Sequence, residues 1–193
     1  MSPQPERTAT VVASILWRRL DVAGHDACRL LAAADGWRLD GTAVFLADDA
    51  PARLAYRVDC DAGWRTRRGR VQGWFGARAV DLEIERTAAG AWRLDGVPVP
   101  GLEALADLDF GFTPATNLIA LRRLALAVGA TAEAPAAWLD AAAGTLGRLK
   151  QRYARKSETL YNYEAPEAGY AAVLEVTPDG FVCRYRGLWE VVG

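Results

Sequence analysis

The sequence is short of the residues that most site chemistry needs. It has one histidine, His25, in 193 residues, which excludes any site built on two imidazoles, including the common hydrolytic zinc arrangements. Its three cysteines, Cys28, Cys60 and Cys183, lie far apart with no CxxC spacing. They are expected to be free thiols on core faces, neither a disulfide framework nor a metal centre. The only serines are Ser2, Ser14 and Ser157, which lends little support to a nucleophilic triad with His25. His25 reads instead as a solvated residue of the polar turn Gly24-His25-Asp26.

Long apolar runs are missing too. The longest stretch without a charge is the twelve residues from Phe110 to Leu121, whereas a spanning helix needs about 20. Thr8 to Trp17 has the length of a signal-peptide core, but Glu6 cancels Arg7, and Trp17-Arg18-Arg19 stands where a small-residue cleavage site belongs. A cytoplasmic protein without membrane insertion is expected. A net charge of -1, from 23 basic and 24 acidic residues, gives no global pull toward nucleic acid. Lysine is nearly absent, with Lys150 and Lys156 against many arginines, a bias that GC-rich codon usage explains.

What remains is an ordinary globular balance, 51% hydrophobic and 24% charged. A chain of this length buries roughly 70% of its unfolded surface, enough for one core without metals or disulfides. Residues 1–13 are expected to form a loose tail, and residues 14–193 a single domain. The dominant rhythm is two. Leu54, Tyr56, Val58 and Cys60 alternate with Arg53, Arg57, Asp59 and Asp61, and Val80, Leu82 and Ile84 alternate with Asp81, Glu83 and Glu85. Such alternation marks half-buried strands of an antiparallel sheet. Asp-Gly pairs at Asp35-Gly36, Asp40-Gly41, Asp95-Gly96 and Asp179-Gly180 predict hairpin turns. The pentapeptide WRLDG occurs at Trp37 to Gly41 and again at Trp92 to Gly96, read as one strand-and-turn solution used twice. Thr113-Pro114 predicts a helix beginning at Pro114 and running into LIALRRL. Ala136 to Tyr153 is read as strands, because Gly144 and Gly147 interrupt any helix there. The fold class is all-β.

Several clusters stand out. Asp59 to Gly63 lacks the glutamate that would complete a calcium loop. Gly69, Gly73 and Gly76 precede no helix, so they mark bulges or bends, not a phosphate loop. Trp64, Arg65 and Arg67, with Trp74 and Phe75 beyond them, form a basic and aromatic group suited to a charged headgroup or to stacking. The acidic residues around it favour a salt-bridge face over nucleic-acid binding. Asp107 to Asn117, followed by Arg122 and Arg123, is the most unusual segment. Its polar groups (Asp107, Asp109, Thr113, Thr116, Asn117 and the two arginines) form either a buried network or the polar end of a pocket.

These segments carry a resemblance. WRRLD at Trp17 to Asp21, YRVDCDAGWRTR at Tyr56 to Arg67, DLDFGFTPATN at Asp107 to Asn117 and LRRL at Leu121 to Leu124 resemble a bacterial family named for glycolipid binding and also classed as a domain of unknown function. A looser match includes Gln151 to Arg155, Tyr161 to Tyr163 and Tyr185 to Trp189. The resemblance implies a spiral β-roll, a long curved antiparallel sheet around a single central α-helix, and homodimers. It implies binding of a glycolipid and no assigned catalytic residue. The expected function is therefore non-enzymatic binding of a glycolipid or similar amphiphile, without cofactor or metal. The candidate binding residues are Trp64, Arg65, Arg67, Asp109, Thr113, Thr116, Asn117, Arg122, Arg123 and Tyr153. A homodimeric scaffold is the second reading, and an enzyme using Asp107–Asn117 with Arg122 and Arg123 the third.

Overall fold

A computed structural model describes residues 9–192. It is an all-β fold with one short helix, and the strands form a rolled sheet that does not close. Six long strands come first: β1 (Thr10–Arg19), β2 (Gly24–Ala33), β3 (Gly36–Ala47), β4 (Ala50–Asp61), β5 (Thr66–Phe75) and β6 (Arg78–Arg86). The short hairpin β7 (Trp92–Leu94) and β8 (Val97–Val99) ends this half. Then come β9 (Asp107–Phe110), the helix α1 (Asn117–Leu124), β10 (Thr131–Glu133), β11 (Ala136–Asp140) and β12 (Thr145–Leu149). The last five strands are β13 (Arg152–Arg155), β14 (Leu160–Ala165), β15 (Tyr170–Val176), β16 (Val182–Tyr185) and β17 (Trp189–Val191).

Fourteen strands make one antiparallel sheet, in the order β10-β13-β14-β15-β16-β17-β1-β2-β3-β4-β5-β6-β7-β8. The first and last strands meet within it, β17 pairing with β1. Trp17 fastens this seam from inside, its indole N–H donating to the Val182 carbonyl at 2.6 Å. The remaining strands, β12-β11-β9, form a small sheet with β9 and β11 parallel. The spiral β-roll is thus the observed architecture.

The alternation read from the sequence is the reason the roll holds. Leu54, Val58, Val71 and Ile84 have no exposed surface, and each such side chain contributes about 1.5–3 kcal/mol by leaving water. Gly69 on β5 is required by the interior, since a Cβ there would lie 2.3 Å from Leu108 of β9. The helix has only eight residues, and Asn117 to Leu121 are buried in unbroken succession. A helix this short is marginal alone and persists because the roll buries its first five residues.

Three expectations need adjusting. Residues 1–8 of the expected tail lie outside the described residues, while 10–13 belong to β1. The regular helix begins at Asn117, three residues after Pro114. The intervening turn is closed by i→i+3 bonds, such as Asn117 N–H to the Pro114 carbonyl at 3.3 Å. Asp40-Gly41 is no turn but the middle of β3. Glycine is needed there because a Cβ would stand 2.4 Å from the ring of Tyr56. The second WRLDG does turn, with Asp95 and Gly96 at φ 49° and 78° between β7 and β8.

Candidate functional site

An aromatic-lined concavity lies beside the start of α1, with a volume of about 400 Å3. That is within the usual range for small-molecule sites. Trp138, Tyr163, Tyr170, Tyr185 and Trp189 supply aromatic walls, while Asp109, Thr113, Asn117, Arg148 and Glu167 supply polar groups. Three of the tyrosines form one cluster, Tyr163 and Tyr185 at 5.9 Å, Tyr170 and Tyr185 at 5.9 Å, and Tyr163 and Tyr170 at 6.3 Å. Trp138 stands opposite Asp109 in the parallel pairing of β11 with β9. Its indole lies over Gly111, where a Cβ would come within 2.7 Å of Nε1.

A chain of hydrogen bonds runs behind the polar side of this pocket. The Asn117 amide donates to the Tyr153 hydroxyl at 2.9 Å, and that hydroxyl donates to Gln151 Oε1 at 3.4 Å. Gln151 in turn donates its amide N–H to Asp109 Oδ2. Tyr153 and Gln151 are buried, so they hold Asn117 and Asp109 without reaching the pocket surface. Burial pushes the Asp109 carboxyl up to about 6, helped by the charge of Asp107 and opposed by the hydrogen bonds from Gln151 and Thr116. The Gln151 amide and the Thr116 hydroxyl hold the Asp109 carboxyl, whose two oxygens keep acceptor capacity to spare for a ligand hydroxyl.

Thr113 joins the pocket to a second buried network. Its hydroxyl donates to Asp26 Oδ2 and accepts the Ala115 N–H at 3.0 Å, which caps the turn into α1. The Tyr56 hydroxyl donates to the same carboxylate at 3.0 Å. The sequence reading puts Asp26 in a polar turn with Gly24 and His25, but all three belong to β2, where Asp26 falls in phase with Cys28 and Leu30 on the inner face. Burial pushes its carboxyl up to about 6 against both hydroxyl bonds.

The other candidates lie elsewhere. Thr116 is buried, and its hydroxyl accepts the Phe110 N–H at 3.2 Å. Arg123 holds Asp107 by two bonds of 2.6 and 2.7 Å. Arg122 donates to the Asp179 carbonyl and lies 6.0 Å over the Trp64 ring, which stacks on Trp37 at 4.8 Å. Arg67 is bonded to Asp35. Around that group the outer face of the sheet carries charges that alternate from strand to strand. Arg38, Asp59, Arg68, Glu85 and Arg93 stand opposite one another in succession. Arg38–Asp59 closes to 2.5 Å and Arg29–Asp40 to 2.8 Å. Such a ladder cancels its own field and offers no stripe for a polyanion. Among the described residues no group of three His, Cys, Asp or Glu side chains could hold a metal ion. No described helix is long and apolar enough to cross a membrane.

A family model described as "Putative glycolipid-binding" matches residues 14–191. The chain belongs to that family. It is also similar in structure to a DUF1089 family protein from Pseudomonas aeruginosa, with a TM-score of 0.76 and 25% identity. The likeness covers 100% of this chain and 99% of that one. No curated protein matches. The family's name points to glycolipid binding as the general kind of function, and the aromatic pocket contains Asp109, Gly111, Thr113 and Asn117 of the segment that carried the resemblance.

Proposed function

We propose that the protein binds a glycolipid or a related amphiphile without transforming it, and that the sugar part seats in the aromatic pocket. The observation that carries this reading is that Trp138, Tyr163, Tyr170, Tyr185 and Trp189 line one pocket together with Asp109 and Asn117. Flat aromatic faces suit the C–H surfaces of a sugar ring, and a carboxylate and an amide suit its hydroxyls. The roll's interior is filled by α1 and the inner strands, as Phe110, Leu118 and Ile119 with no exposed surface attest. An acyl tail would therefore remain at the pocket rim or on the outer surface. The homodimer implied by the resemblance belongs to this proposal, as do the cytoplasmic location and the absence of catalysis.

The test is titration with n-octyl-β-glucoside below its micelle concentration, beside octanol and free glucose. Binding of the glycoside with at least a tenfold loss in Trp138→Ala, about 1.4 kcal/mol, supports the reading. Native mass spectrometry of gently purified protein reads any retained amphiphile and the oligomeric state together. Absence of both retained lipid and glycoside binding, or binding indifferent to Trp138→Ala and Asp109→Asn, overturns it.

A further inference from the structure

A second cleft, of about 570 Å3, lies between the β4–β5 turn and the end of β6. Four arginines line it, Arg65, Arg67, Arg68 and Arg86, together with Asp61 and Glu85. Most of these charges already have partners. Asp61 Oδ1 accepts the backbone N–H groups of Gly63 and Arg65, both at 2.9 Å, and so fixes the turn. Glu85 stands in register between Arg68 and Arg93, and Arg67 is bonded to Asp35. Among the described residues Arg65, Arg68 and Arg86 make no ion pair, and Arg68 has Glu85 opposite it in register, which leaves Arg65 and Arg86.

The two are held differently. Arg86 is half-buried, and its Nε donates to the Leu105 carbonyl at 2.8 Å, which orients the guanidinium and leaves its outer N–H groups available. Arg65 is exposed, on a turn whose backbone Asp61 fixes. Burial and the charge of Arg65 hold Arg86 below the ordinary arginine value, and Asp61 and Asp107 offset this only in part. Asp107, the nearby buried carboxylate, is committed to Arg123. Two guanidinia lining one open cleft, with Asp61 and Glu85 at its border, make a receptor for an anion with several oxygens.

We propose that this cleft binds a phosphomonoester, its phosphoryl group seated between Arg65 and Arg86. Arg67, Arg68 and Thr87 border the rest of the cleft, where the organic part of the ester would lie. No residue lines both this cleft and the aromatic pocket, so the inference stands apart from the proposed function.

The experiment is calorimetric titration at low ionic strength with glucose 1-phosphate, with inorganic phosphate, and with phosphatidylcholine vesicles with or without phosphatidic acid. Binding is expected to weaken as salt rises and to fall at least tenfold in Arg65→Ala, with Trp138→Ala unaffected. Arg65→Ala carries the test because its side chain is exposed, whereas Arg86→Gln also removes the bond to Leu105. Binding of the soluble phosphate assigns a free metabolite, and binding of the phosphatidic acid vesicles assigns a lipid headgroup. No binding of any phosphate probe, binding unchanged by Arg65→Ala, or Arg65-dependent binding of single-stranded nucleic acid alone overturns the proposal.

Discussion

Gly111 lies under the indole of Trp138, so close that a Cβ on residue 111 would stand 2.7 Å from Nε1. The contact joins the turn after β9 to the middle of β11 and sets where one wall of the aromatic pocket stands. Gly111→Ala must therefore push the Trp138 ring aside. The overpacking should cost about 1–3 kcal/mol, less if the half-buried indole swings outward. The expected outcome is a shifted Trp138 indole N–H resonance and weaker glycoside binding, with the fold retained. An unchanged resonance would show that the contact is not the one described.

The two copies of WRLDG allow a sharper comparison. In the first, Gly41 lies within β3 against Tyr56, and a Cβ would meet the ring at 2.4 Å. In the second, Gly96 sits at φ 78° in an open turn, with nothing within 4 Å of a Cβ. Gly41→Ala collides with a buried ring that also bonds Asp26, so it should destabilise by more than about 2 kcal/mol. Gly96→Ala meets only the left-handed backbone penalty, about 1–2 kcal/mol. Urea unfolding of both variants checks the order, and a larger loss at Gly96 would contradict it.

The same pentapeptide shows what was readable in the sequence and what was not. Period-two alternation exposed the outer strands, because a sheet with one wet face must alternate; β4 and β6 follow it closely. Whether Asp-Gly turns or continues depends on what packs against the glycine, and Tyr56 reaches Gly41 only once β3 and β4 have paired. The pocket illustrates the same limit. Asp109, Thr113 and Asn117 came from one unusual segment, but Trp138, Tyr163, Tyr170, Tyr185 and Trp189 come from strands whose neighbours are set by the winding of the sheet. Nothing local to those aromatics announces that they meet.

Asp107 and Arg123 offer a test of the helix's anchorage. The carboxylate is almost fully buried and accepts two bonds from the guanidinium. Arg123→Met leaves that charge without its bonded partner, which typically costs about 3–5 kcal/mol. Arg65 and Arg86 also act on Asp107, so a value near the lower end is expected. The double variant Asp107→Asn with Arg123→Met should recover much of the loss. If the single variant unfolds no more readily than wild type, the pair does not anchor α1.

Asp26 gives the roll a pH-dependent stability of defined sign. Its carboxyl sits at about 6 in the folded protein, raised by burial from an ordinary value of 3.8. Between those two values the folded state binds more protons than the unfolded state, so raising the pH removes stability. The contribution is fully present below about pH 4 and is lost as pH rises through about 6. A displacement of this size corresponds to about 3 kcal/mol. Cys28 and Tyr56, which face the same carboxylate, are pushed upward by burial and stay protonated throughout this range. In Asp26→Asn the contribution from this site disappears, while that of Asp109 remains in both proteins. The stability of wild type relative to Asp26→Asn should therefore fall as the pH is raised from 4 to 7. Urea unfolding of both proteins across that range measures it, and parallel curves would mean that Asp26 does not titrate as its burial requires.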